Sequence, residues 1–136
     1  MEKEIVDVIL NVDGINEKAI ITIMIGDDLI EIALESDICC ITKEGENLFD
    51  ILTQIRKEFE KSSIKLLCKG CSLNVHPSGM ILGMGYGRMA YSLVLGKQAL
   101  KESLVDIFSP CSVEEYSTVN EQNEFFEKWC DSLRKV

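Results

Sequence analysis

Apolar and polar residues alternate along residues 4–12. Val6, Val8, Leu10 and Val12 fall on one side, and Asp7, Asn11 and Asp13 on the other. A period of two is the mark of a half-buried strand. Asp13-Gly14 then signals a tight turn. Residues 18–25 are apolar on both sides and rich in isoleucine, which predicts a central strand. Gly26-Asp27-Asp28 turns the chain again. Residues 29–35 alternate once more, with Ile30, Ile32 and Leu34 against Glu31, Ala33 and Glu35. The expectation is a three-stranded antiparallel meander, with residues 38–41 extending it or adding a short strand.

The period then changes. In residues 47–61, Leu48, Leu52, Ile55 and Phe59 recur at helical spacing, with Asn47 placed to cap the helix and Asp50 to suit its positive end. Short strands are expected at residues 64–68, 73–76, 86–95 and 104–108. A last helix follows Thr118 and Glu121, which have capping-box spacing, with Phe125, Trp129 and Leu133 repeating every four residues. Strands, helix, strands, helix is the order of an α+β fold. A mixed or mainly antiparallel sheet, opening with the β-meander, would be covered by two amphipathic helices in one domain of 136 residues.

Composition agrees with a packed core, since 46% of residues are hydrophobic and 27% charged. The apolar runs are too short to span a bilayer, and the acidic N-terminus does not look like a secretory signal, so the cytoplasm is expected. The six cysteines, Cys39, Cys40, Cys68, Cys71, Cys111 and Cys130, are then expected as thiols rather than disulfides. The net charge of −9 argues against nucleic acid and anionic membranes as partners and suits a basic protein. Asp27, Asp28, Glu31 and Glu35 are the candidate residues for meeting one.

Charge is also segmented. Residues 1–60 carry −10, residues 61–101 carry +6 with no acid among them, and residues 102–136 carry −5. Either the cations of the middle segment pair with the acidic flanks, or they converge on an anionic ligand. The second option draws on a glycine-rich stretch, because closely approaching backbone N–H groups can cradle an anion. Asn74, His76, Ser78, Gly85, Gly87, Arg88 and Tyr91 are its candidate ligand-binding residues, with Arg88 supplying a planar fork. The glycine spacing matches neither a P-loop nor a dinucleotide fingerprint. Met80, Met84 and Met89, with Ile81 and Leu82, could form an apolar patch.

Cys68-Lys69-Gly70-Cys71 is a lone C-x-x-C without a second pair, so a metal site there lacks obvious completing ligands. A redox motif would open a helix, and extended chain is expected here instead. A Cys71–His76 nucleophile pair is conceivable on spacing alone. No catalytic residue, metal ligand or cofactor is assigned.

Three stretches carry a resemblance: Asn74-Val75-His76-Pro77-Ser78-Gly79-Met80, Gly87-Arg88-Met89-Ala90-Tyr91, and Leu104-Val105-Asp106-Ile107-Phe108. The terminal helix adds Glu121-Gln122 near its start and an aromatic pair ahead of Trp129. Together they resemble a family of short bacterial α/β proteins with no assigned activity. The resemblance spans residues 64–133, implies a bacterial source and carries over no catalytic residue. The leading expectation is a non-enzymatic bacterial binding or regulatory protein, immunity-like, for a basic protein partner. The alternatives are a binding protein or enzyme for an anionic metabolite, and a cysteine-based metal-binding domain. A homodimer is compatible with each.

Overall fold

The computed structural model describes residues 2–79 and 85–134. The first two strands, β1 (Glu2–Val12) and β2 (Ile15–Ile25), form a long hairpin. Its turn is Asp13-Gly14, with φ of 53° and 84°. Both residues are left-handed, the conformation a two-residue hairpin requires. β3 (Ile30–Ser36) and β4 (Cys40–Gly45) complete a four-stranded meander, so residues 40–45 make a strand of their own. The short β5 (Ile64–Leu66) joins on the far side of β1, giving the order β4-β3-β2-β1-β5 with every neighbouring pair antiparallel.

Alternation decides which side of this curled sheet is closed. Leu10, Ile21, Ile32 and Leu34 are fully buried, and they meet Ile51, Leu52 and Ile55 of helix α1 (Leu48–Glu60), which are fully buried too. Asn47 caps α1, its Oδ1 accepting the Asp50 N–H at 2.9 Å.

A second, smaller antiparallel sheet has the order β6-β7-β8, from β6 (Val75–His76), β7 (Met89–Ser92) and β8 (Leu104–Asp106). Helix α2 (Val119–Arg134) packs against α1 and β6. Its capping box forms: Thr118 Oγ1 accepts the Glu121 N–H at 3.1 Å, and Glu121 Oε1 accepts the Thr118 N–H at 2.8 Å. The molecule is thus α+β and antiparallel, as the pattern predicts, with its strands divided between two sheets.

The strand expected at residues 86–95 is shorter than its alternation suggests. Gly85, Tyr86 and Gly87 have φ of 61°, 59° and 78°. Three successive left-handed residues cannot lie in a strand, so β7 begins only at Met89. No helix among the described residues is long and apolar enough to cross a membrane. Of the methionine patch, Met80, Ile81, Leu82 and Met84 lie outside the described residues, while Met89 opens β7 and is half-buried.

Candidate functional site: a groove on the open face of the large sheet

The side chains that alternate with the core positions form the opposite face of the large sheet. Asp7, Ile20 and Glu35 stand in register across β1, β2 and β3, and Ile9 lies beside Lys18. Ile20 remains 47% exposed, and no helix among the described residues covers this side. Residues 18–25 are therefore apolar on both sides without being buried on both.

One end of this face is concave. A groove of about 650 Å³ is lined by Ile9 and Ile20 of the sheet and by Leu67, Phe108 and Pro110 from beyond it. Asp7, Glu35 and Asp37 also line it, with one cation, Lys18. Leu67 reaches the groove because its N–H donates to the Ile9 carbonyl at 2.9 Å, prolonging the β1–β5 pairing by one residue. None of these three acids takes part in an ion pair among the described residues. Apolar side chains beside carboxylates without ion pairs suit an apolar side chain flanked by cations.

Of the acids singled out for partner binding, Glu35 lies in this groove. Asp27, Asp28 and Glu31 line a smaller hollow of about 180 Å³ at the β2–β3 turn. Glu31 and Glu35 are four residues apart on one strand face, so the two hollows are roughly 13 Å apart.

The candidates for anion binding fall into different surroundings. Arg88 gives its Nε–H to Asp106 at 2.8 Å, and its two terminal nitrogens donate to the Glu4 carboxylate at 2.7 and 3.0 Å. Its guanidinium also lies 5.1 Å from the Phe108 ring centroid. Arg88 holds Glu4 below, and Glu4 holds Arg88 above, its ordinary ionisation range, chiefly through their shared hydrogen bonds. His76 instead stacks on Phe126 of α2, centroids 3.7 Å apart, and tilts against Phe49 of α1 at 5.6 Å. Burial lowers its pKa below the ordinary histidine value, against a raising contact from the Pro77 carbonyl. Tyr91 is the register partner of His76, and Asn74 donates to Ser92 Oγ and the Leu93 carbonyl at 3.0 and 3.2 Å. The structure brings His76 and Tyr91 onto neighbouring strands, with Asn74 in the turn just before β6, and ties Arg88 to β1 and β8. Ser78 is half-buried, Gly85 exposed and Gly87 buried.

Among the described residues, three of the six cations of the middle segment pair with its acidic flanks. Lys61 meets Glu58, Lys69 meets Glu115, and Arg88 meets Glu4 and Asp106.

Cys68 and Cys71 are wholly buried. Burial pushes the Cys68 thiol well up and the Cys71 thiol up to about 12, and it raises Cys111 too. At neutral pH these are protonated, small apolar groups rather than thiolates. The residues between them explain the motif. A Cβ on Gly70 would lie 2.5 Å from Leu52 Cδ2 and 3.0 Å from Ile107 Cβ, so only glycine lets this turn pass between α1 and the chain after β8. Among the described residues no group of three or more His, Cys, Asp or Glu side chains is placed to hold a metal ion. The Cys71–His76 pair that spacing alone made conceivable does not form: the Cys71 thiol is enclosed, and the His76 ring contacts Phe126, Phe49 and the Pro77 carbonyl.

The polar centre that the sequence pattern did not reveal is Arg56. It is 1% exposed, and it donates to Gln122 Oε1 at 2.7 Å and to the Ser117 carbonyl at 2.6 Å. Gln122 Nε2 lies 2.9 Å from each of the Gly70, Ser72 and Val75 carbonyls. A guanidinium held by neutral acceptors thus joins α1, the C-x-x-C turn and the start of α2. The available signal was its spacing, since Arg56 follows Leu52 by four and precedes Phe59 by three on the apolar stripe.

No protein-family model matches the chain, and neither does any curated protein.

Proposed function

We propose that this chain is a non-enzymatic bacterial protein of the cytoplasm that binds a basic protein partner on the open face of its large sheet. The observation that carries this reading is the groove: apolar side chains side by side with three carboxylates that have no ion-pair partner among the described residues. The remaining acids of the face, Glu31 with Asp27 and Asp28, would extend the negative field and speed encounter. Uncompensated charge beside exposed isoleucine adds little to folding, and both gain on meeting a partner of opposite charge that brings its own apolar side chain.

The anionic-metabolite alternative loses its main support, because the nitrogens of Arg88 are already engaged by Glu4 and Asp106. An incoming anion would have to displace a carboxylate that Arg88 already grips with two hydrogen bonds.

The test is fluorescence anisotropy with synthetic peptides that alternate arginine and leucine, compared with oligolysine and with an acidic counterpart. The alternating cationic peptide should bind with strong salt dependence, the oligolysine more weakly, and the acidic peptide not at all. Glu35→Lys with Asp37→Lys should remove binding and leave the circular dichroism spectrum unchanged. Equal binding by that double variant would move the site away from the groove.

A further inference from the structure

β1 is flanked on both sides only at its end. β5 pairs with Leu10, Asn11 and Val12, and Leu67 adds one bond to the Ile9 carbonyl. From Glu2 to Val8 the strand pairs with β2 alone among the described residues. In an antiparallel strand the N–H and C=O of one residue point to the same side, and successive residues alternate. Ile9 faces the β5 side, so Lys3, Ile5 and Asp7 face it as well. Among the described residues nothing pairs with their backbone groups, which form an open edge there, the kind of surface that templates pairing with another strand.

We infer that this edge pairs with the same edge of a second copy of the chain, antiparallel and centred on Ile5. Centring there sets Ile5 against the partner's Ile5 and Lys3 against the partner's Asp7, twice by symmetry. All three side chains lie on the face opposite α1. Ile5 is 62% exposed, and neither Lys3 nor Asp7 has an ion-pair partner within its own chain among the described residues. On the other face Glu4 meets the partner's Val6, and the Glu4 charge is already answered by Arg88. Other registers serve worse. Centring on Lys3, Glu4 or Asp7 puts like charges opposite one another, and centring on Val6 pairs neither Lys3 nor Asp7. The edge is self-complementary in charge in one register only. Pairing joins two five-stranded sheets into one and sets the two grooves on a continuous face, each groove then keeping Glu35 and Asp37 for a basic partner while Asp7 is answered by Lys3 of the second copy.

The experiment is sedimentation equilibrium of the full chain over a wide concentration range, with Lys3→Asp, Asp7→Lys and the double exchange. The unaltered chain should dimerise reversibly. Each single exchange places like charges opposite each other at both symmetric positions and should weaken association roughly tenfold to a hundredfold. The double exchange restores opposite charges and should recover it. Ile5→Pro is an independent check: the lost N–H faces the open edge rather than β2, so the fold should survive and the dimer should not. A monomer at every concentration, single variants that associate like the unaltered chain, or a double variant as weak as the singles would each overturn the inference.

Discussion

The two faces of the large sheet are made by the same strands and have opposite fates. On the α1 side, Leu10, Ile21, Ile32 and Leu34 are sealed from water, and each one buried contributes on the order of 1.5–3 kcal/mol relative to exposure. On the other side Ile5, Ile20 and acids without an ion pair among the described residues face solvent. Isoleucine is thus used for two purposes within one strand. What separates them is whether a helix arrives to cover it, and a strand's own residues do not decide that. One face holds the fold together, and the other is left free to meet something else.

Substitutions can break or sharpen that contrast. The largest effect is expected at Arg56, where Arg56→Ala removes the donor joining α1 to the C-x-x-C turn and α2. It leaves the Ser117 carbonyl and Gln122 Oε1 without their donor. A loss of about 3–5 kcal/mol in urea unfolding is expected, and a loss below about 1 kcal/mol would show the cluster to be ornamental. Next comes a direct pairing of the two faces: Ile32→Ala should cost about 3–4 kcal/mol, and Ile20→Ala less than about 0.5. Similar costs at both positions would mean that the open face is not open in solution. Gly70→Ala, which drives a methyl into Leu52 and Ile107, should cost about 1–3 kcal/mol.

The smallest expected effect is a pH dependence at His76. Burial favours its neutral form in the folded chain. As pH falls through about 6.5 the unfolded chain takes up a proton that the folded chain resists, so stability declines on acidification. The decline begins at the unfolded value and ends at the lower folded one. His76→Phe keeps a ring against Phe126 and removes the proton. Its melting temperature should change less between about pH 7.5 and 5.5 than that of the unaltered chain. An identical slope in the two proteins would assign the pH dependence elsewhere.

Legibility in the sequence followed the range of the interactions. The meander, α1 with its Asn47 cap and α2 with its Thr118–Glu121 box are all visible in residue order, because each depends on neighbours no more than a few positions apart. The length of β7 was misjudged because alternation says nothing of backbone φ, and Tyr86 is held left-handed between two glycines. Arg88 looked like a ligand for an anion, and its partners turned out to be Glu4 and Asp106, 84 and 18 residues away. Glu35 was singled out for its charge, while the same groove is also lined by Leu67, Phe108 and Pro110, which carry no binding signature of their own. Lys3 and Asp7 gain their significance only once β5 is seen to stop short of them.

By itself the sequence determined the class of fold, the two helices, the antiparallel meander and the net acidic charge. Periodicity, turn chemistry and charge are properties of short stretches of chain. Only the tertiary structure decided that the strands divide into two sheets, that one face of the larger stays bare, and that the C-x-x-C is a packing turn. The same holds for Arg56, buried among carbonyls contributed from distant positions. Each of these depends on which surfaces meet after long loops close, and a residue's identity fixes what it prefers to touch without fixing what will reach it.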